Sequence, residues 1–209
     1  MPLTNNLLAA YMGMPGSQSS KTVQFGKKYM DVPVDQQAIV IADYIHKRQV
    51  LGEKEPPPDQ VCETMAYLVE EFLRGNSKSI SAITDVLKDT NQKGKSHEQV
   101  ITRIFDSMFS DGIVNWGRIG AAYAFGVKYC LKKSTDINGN RQGLPDERIL
   151  RCVGKYVGEK LGTWIEKQGG WDSVVGLFPN QEAVLKRFRS LGYLCLTVGL
   201  GSLLNALSS

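Results

Sequence analysis

An acid, an amide and a base stand close together in FSDGIVNWGRIGAAYAFG, residues 109–126: Asp111, Asn115 and Arg118. No nucleophile lies beside a general base in this stretch. What it can do is hold charge. A guanidinium offers a planar fork of donors that matches a carboxylate, and the resulting bond is charge-assisted and often bidentate. Gly117, next to the arginine, removes a side chain where a partner's backbone would approach. At the rim of an apolar groove, this combination suits capture of an acid-bearing amphipathic helix. The plainer reading is a helix N-terminus with one solvated arginine, and on spacing alone that is the commoner case.

Other chemistry is sparse. Glu70 and Glu71 are adjacent on a helical pattern and therefore point in different directions. GLGS at 199–202 follows an apolar run but is not a strand-to-helix phosphate loop, and no G-x-S-x-G elbow occurs. The two histidines, His46 and His97, and the four cysteines, Cys62, Cys130, Cys152 and Cys195, show no zinc-ligand spacing. Free, mostly buried thiols in a reducing compartment are the expectation. No metal or cofactor is indicated, and nothing favours an enzyme over a binding protein.

With 209 residues and 42% apolar content, the chain can bury the core of one domain. Its 25 basic and 21 acidic residues are spread along the sequence, for a net charge of +4. Nucleic-acid binding would need a dense basic stripe, so none is expected. Weak attraction to anionic membranes is compatible with that charge.

Helical periodicity dominates and no strand series appears, so the fold class is all-α. Residues 1–30 lack the basic start and apolar run of a signal peptide and read as a mobile polar arm. The first helix is predicted over 35–51, with Asp35 as cap and Ala38, Ile41, Tyr44 and Ile45 on its apolar face. A second follows the prolines at 56–58. Asp59 caps it, Gly75 ends it, and Val61, Met65, Leu68 and Phe72 form its stripe. Short amphipathic helices follow at 79–90 and 97–109. The run from Asn115, as cap, to Cys130 is apolar almost all round, which places that helix at the centre of the domain. Pro145 is expected at the first position of the next helix, which runs to Lys167 and stops at Gly169 and Gly170. Residues 171–178 form one more short helix.

The domain spans 31–180. Beyond it, 181–209 reads as a C-terminal helix and candidate membrane anchor. Its stretch from Leu191 to Leu207 has no charged residue, and Lys186, Arg187 and Arg189 precede it. As a helix that stretch reaches about 26 Å, against about 30 Å of hydrocarbon. The other reading is an amphipathic helix docked on the protein's own surface.

NWGR at 115–118 and QGGWD at 168–172 resemble the first and second homology motifs of the Bcl-2 family of apoptosis regulators. IVIADYIHKR at 39–48 is similar to the family's fourth motif, and VCETMAYLVEEF at 61–72 lies where the third, death-motif helix belongs. The resemblance covers about 35–207. It implies a bundle of eight to nine helices around a central hydrophobic hairpin, here 115–133 and 145–167. It also implies a groove that takes the death-motif helix of a pro-apoptotic relative. Asn115, Gly117 and Arg118 would form the polar rim, with Arg118 pairing the partner's aspartate and Asp111 nearby. Phe105, Met108, Phe109, Val114 and Phe125 are candidates for groove or core. Trp116, Trp164 and Trp171 are expected to pack structure.

The chain's own death-motif helix has its four apolar positions in Val61, Met65, Leu68 and Phe72. Val69 stands where the family has a small residue, and Glu70 where it has aspartate. That departure favours a pro-survival member, which receives a helix, over a Bax/Bak-like effector, which must expose its own, oligomerise and permeabilise the outer membrane. The resemblance further implies residence at the mitochondrial outer membrane or endoplasmic reticulum, with a cytosolic fraction, and allows homo- or heterodimers through the groove.

Overall fold

The computed structural model describes residues 32–89, 96–135, 140 and 143–179. The expected arm at 1–30 and the C-terminal helix with its candidate anchor lie outside the described residues. Among the described residues the secondary structure is helical. Six α-helices run α1 (Val34–Ile45), α2 (Gln60–Asp89), α3 (His97–Met108), α4 (Trp116–Lys133), α5 (Glu147–Lys167) and α6 (Asp172–Leu177). A π-helical turn, His46–Leu51, extends α1 and stops at Gly52, whose φ is 74°.

α4 is the centre. Every residue from Trp116 to Val127, with Tyr129 and Cys130, is buried. α2 and α5 flank it, and α1 covers α5. This is the expected central hairpin, and sequence explains its close approach. A Cβ on Gly126 would sit 2.7 Å from Val153 Cγ2, so the glycine lets α4 and α5 touch there. Three indoles gather where α4, α5 and α6 meet: Trp116 lies 5.4 Å from both Trp164 and Trp171, ring centre to ring centre. Trp171 Nε1 donates to Val34 O at 3.0 Å and so ties the start of α6 to the start of α1. Tyr123 is fully buried and its hydroxyl donates to Ala38 O at 2.9 Å, a second tie to α1.

Two helix boundaries, the starts of α1 and α5, differ from expectation. Pro33, not Asp35, takes the cap position of α1, and Asp35 falls in the first turn, where its charge still complements the helix dipole. As expected, the second helix breaks beside Gly75: helical geometry is lost at Asn76 (φ −129°, ψ 16°), and this kink within α2 separates the 60–75 stretch from the expected helix that runs on to Asp89. Asn76 Nδ2 donates to Phe72 O at 3.1 Å, so a side chain competes with the ladder at the kink. Pro145 lies outside α5: Asp146 is the cap, accepting from Arg148 N–H at 3.0 Å, and the helix begins at Glu147. The predicted caps Asp59 and Asn115 both hold, accepting from Cys62 N–H at 2.7 Å and Arg118 N–H at 2.9 Å.

No helix among the described residues is long and apolar enough to cross a membrane.

Candidate helix-binding site

The site is the corner between α3 and α4. α3 opens with a capping box: Ser96 Oγ accepts from Gln99 N–H, and the Gln99 side chain accepts from Ser96 N–H. Val100, Ile101, Ile104 and Phe105 bury its inner face. At its end the chain must reverse within a few residues to start α4. Gly112 supplies the left-handed backbone, φ 72°, with its N–H bonded to Phe109 O at 3.0 Å. Asp111 Oδ1 accepts from Ile113 N–H at 3.0 Å, closing an Asx turn. Asn115 then caps α4, which fixes where Arg118 leaves the helix one turn later.

Arg118 does not stand solvated at a rim. It is only 4% exposed, and its guanidinium turns back into the corner. Nη1 donates to Asp111 Oδ1 at 2.6 Å, and Nη2 donates to Asp111 Oδ2 at 2.7 Å. Nη1 also donates to Met108 O at 3.2 Å and Ile113 O at 3.0 Å. Met108 O lies in the last turn of α3, where carbonyls lack helical partners and carry the negative end of the dipole. One side chain therefore clasps the end of α3, the turn and the approach to α4. The same contact pulls the Asp111 carboxyl well down, to about 2, chiefly through its bonds to Arg118 and then the Ile113 N–H.

The structure separates the other candidates. Phe105 and Phe125 are core: they are 0% and 2% exposed, with ring centres 5.9 Å apart. Gly117 is buried in the first turn of α4. Met108, Phe109 and Val114 are partly buried and lie at the surface of the corner, against the core. Phe109 stacks over Tyr156 of α5 at 6.3 Å. Asn115 is half-buried, and Asp111 lies on the outer side. Ile113, absent from the sequence expectations, is 53% exposed and adds apolar surface beside the pair. Its only sequence signal was an apolar residue directly after a turn glycine. The chain's own death-motif residues lie elsewhere, on α2. Val61, Met65, Leu68 and Phe72 face inward, at most 9% exposed, Val69 is fully buried, and Glu70 points to solvent.

The arrangement offers no nucleophile. It offers a buried cation with its anion on the solvent side, bordered by half-exposed apolar side chains, on a corner braced by two capped helices.

Comparison with known proteins agrees with this architecture. The family model for apoptosis regulator proteins of the Bcl-2 family matches residues 61–171, over half of the chain. Bcl-2-like protein 1 of Homo sapiens is 34% identical over 143 residues, covering 68% of this chain and 58% of the relative. Apoptosis regulator R11 of Xenopus laevis is 29% identical over 133 residues, covering 62% and 59%. The chain thus spans under three fifths of the length of these curated relatives. Among solved structures, the zebrafish pro-survival protein NRZ in complex with Bad BH3 superposes with a TM-score of 0.55 at 22% identity, covering 67% of this chain and 90% of that one. The motifs at both ends of the central hairpin, the hairpin itself and the family match together place this chain in the Bcl-2 family of apoptosis regulators.

Proposed function

We propose that the chain is a pro-survival member that receives BH3 helices of pro-apoptotic relatives at the α3–α4 corner and thereby restrains permeabilisation of the mitochondrial outer membrane. The observation that carries this reading is the state of its own α2. All four apolar positions of the death motif are packed into the core, Val69 adds bulk at full burial, and Glu70 alone faces out. Presenting that face to a neighbour would strip several large apolar side chains from the core, each worth about 1.5–3 kcal/mol of burial. Receiving a helix needs no such step. The likeness to a zebrafish pro-survival protein that was solved with Bad BH3 supports the same direction.

The occupant on this reading is an amphipathic helix. Its apolar side chains would lie over Met108, Phe109, Ile113 and Val114, and its carboxylate would be directed to Arg118. Residence at the outer membrane or endoplasmic reticulum through residues 181–209 belongs to the same proposal.

Dye release from liposomes of mitochondrial lipid composition tests it. The full chain alone, with or without Bad BH3 peptide, is expected to release nothing. Mixed with an activated Bax-like effector, it should suppress release, and Bad BH3 peptide should relieve that suppression. Release by the chain itself would reverse the assignment to an effector.

A further inference from the structure

Among the described residues, Tyr67 is the one tyrosine that is not buried. Tyr44, Tyr123, Tyr129 and Tyr156 are between 0% and 7% exposed, whereas Tyr67 is half-buried on α2. Its hydroxyl donates to Glu63 Oε1 at 3.3 Å, one turn earlier on the same helix. Over its ring lies Arg48 of the π-helical turn, with Cζ 5.3 Å from the ring centre. Arg48 Nη1 donates to the Tyr44 hydroxyl at 3.3 Å. Both of these partners are neutral. Arg74, Arg118, Arg148 and Arg151 each pair with a carboxylate. No carboxylate among the described residues stands within ion-pair distance of Arg48, whose partners are a phenol and an aromatic face. A guanidinium held this way keeps its charge and most of its donors. Such a fork binds a phosphoryl group by charge-assisted, often bidentate bonds.

We propose that Tyr67 is a phosphorylation site and that Arg48 captures its phosphoryl group, clipping the π-helical turn to α2. The donor is a nucleoside triphosphate on a tyrosine kinase. The bond from Tyr67 Oη to the γ-phosphorus forms as the bond from that phosphorus to its bridging oxygen breaks. The nucleoside diphosphate leaves, and the phenolic proton passes to the kinase's base. Three nearby acids, Glu63, Glu70 and Glu71, give the segment the negative charge that a basic enzyme cleft attracts. Two of them then oppose the product. Glu63 loses the bond from the phenol, and Glu70 lies three residues on along the same helix face. A phosphoryl group with about 1.5 to 2 negative charges needs a cation beside it there, and Arg48 is that cation. Tyr67 lies between Met65 and Leu68, both 0% exposed, in the chain's own death-motif helix. The clip therefore ties that helix to the segment that follows α1, whether or not the α3–α4 corner receives a helix.

The test uses the full chain with ATP and a broad-specificity tyrosine kinase, under conditions where circular dichroism shows the bundle intact. Peptide mass mapping should find phosphate on Tyr67 and none on Tyr44, Tyr123, Tyr129 or Tyr156. An unmodified Tyr67 in the folded chain would overturn the site. Phosphorus NMR then reads the capture. The second ionisation of an unstructured phosphotyrosine is at about pH 6. In the folded wild type it should fall by about one unit relative to the same chain unfolded in urea. In phosphorylated Arg48→Gln it should rise instead, because Glu63 and Glu70 remain, and Arg48→Lys should restore part of the fall. An unchanged or raised ionisation in the folded wild type would overturn the capture, and that comparison needs no variant to fold. Equal falls in the wild type and Arg48→Gln would give the phosphate to another cation and overturn it as well. Amide exchange across 60–72 should slow when the wild type is phosphorylated and not when Arg48→Gln is. Exchange that stays the same or quickens in the wild type would overturn the clip.

Discussion

A Cβ on Gly158 would lie 2.6 Å from the Asp35 Cα, inside any tolerable contact. Four residues earlier on α5, a Cβ on Gly154 would lie 2.7 Å from Ala38 O, and four residues later Gly162 meets Val34 Cγ1 at 3.7 Å. The three glycines form a trench along α5 into which the backbone of α1 settles. The obstacle at Gly154 and Gly158 is main chain, which cannot rotate away as a side-chain tip can. Gly158→Ala is therefore expected to destabilise the fold by about 1–3 kcal/mol through overpacking. That exceeds the roughly 1 kcal/mol that alanine gains over glycine from helix propensity. Urea unfolding measures it as a lower midpoint, and an unchanged or higher midpoint would remove the trench from the account.

The clasp at the α3–α4 corner predicts an order among substitutions. Asn115→Ala removes one cap bond and should cost about 1 kcal/mol. Arg118→Ala leaves the Met108 and Ile113 carbonyls without their donor in a buried corner and should cost more, about 2–4 kcal/mol. Arg118→Lys keeps the charge but cannot span both Asp111 oxygens, and should fall between them. Thermal unfolding of the three variants gives the ranking. A silent Arg118→Ala would mean that the guanidinium does not brace the turn.

Much of this was legible in sequence, and the limits have physical causes. The helices could be read because each has one apolar face with a 3.6-residue period, and α4 because its run to Cys130 is apolar almost all round. Asn115 and Asp59 could be read as caps because capping is local. The trench on α5 could not: within a single helix, Gly154, Gly158 and Gly162 register only as weak helix formers, and their use depends on a partner more than a hundred residues away. The fate of Arg118 was hidden for a related reason. Its pairing with Asp111 crosses a turn whose closure is set by one positive φ and one Asx bond, and no periodicity encodes that. Phe105 and Phe109 lie one turn apart on the same face. Only the end of α3 between them makes the first a core residue and the second a surface one.

The Asp111 carboxyl titrates at about 2 in the folded chain, against about 3.9 for an unstructured aspartate. A depressed folded value means that the stabilisation is fully present above the unfolded value and is lost as pH falls towards the folded one. Asp146, lowered mainly by its bonds to Arg148, adds in the same direction. The fold should therefore weaken between about pH 5 and pH 2, and Asp111→Asn should flatten part of that slope. Denaturant titrations at a series of pH values measure both slopes. Parallel slopes for the variant and wild type would show that Asp111 does not contribute to the acid limb.

Burial sets the reactivity of the thiols. Cys62 is 1% exposed, and desolvation, with Asp59 nearby, pushes its thiol far up. Cys130 is 0% exposed and raised to about 12, also chiefly by burial, while its Sγ lies 3.4 Å from Asp146 O. Cys152 is only half-buried, and its thiol is raised for the same reason. Alkylation requires the thiolate and an approach path, so both factors give the same order. With a thiol-selective reagent at mildly alkaline pH, Cys152 should label first among the three cysteines of the described residues, and Cys62 and Cys130 only as the bundle opens. Their labelling rate should then rise with urea in step with global unfolding, because both lie in the central layer of α2 and α4. Peptide mass mapping over time reads all three sites in one experiment. Early labelling of Cys130 without loss of helix content would show that the end of α4 separates from α5 on its own, and that the central hairpin is less cooperative than its packing implies.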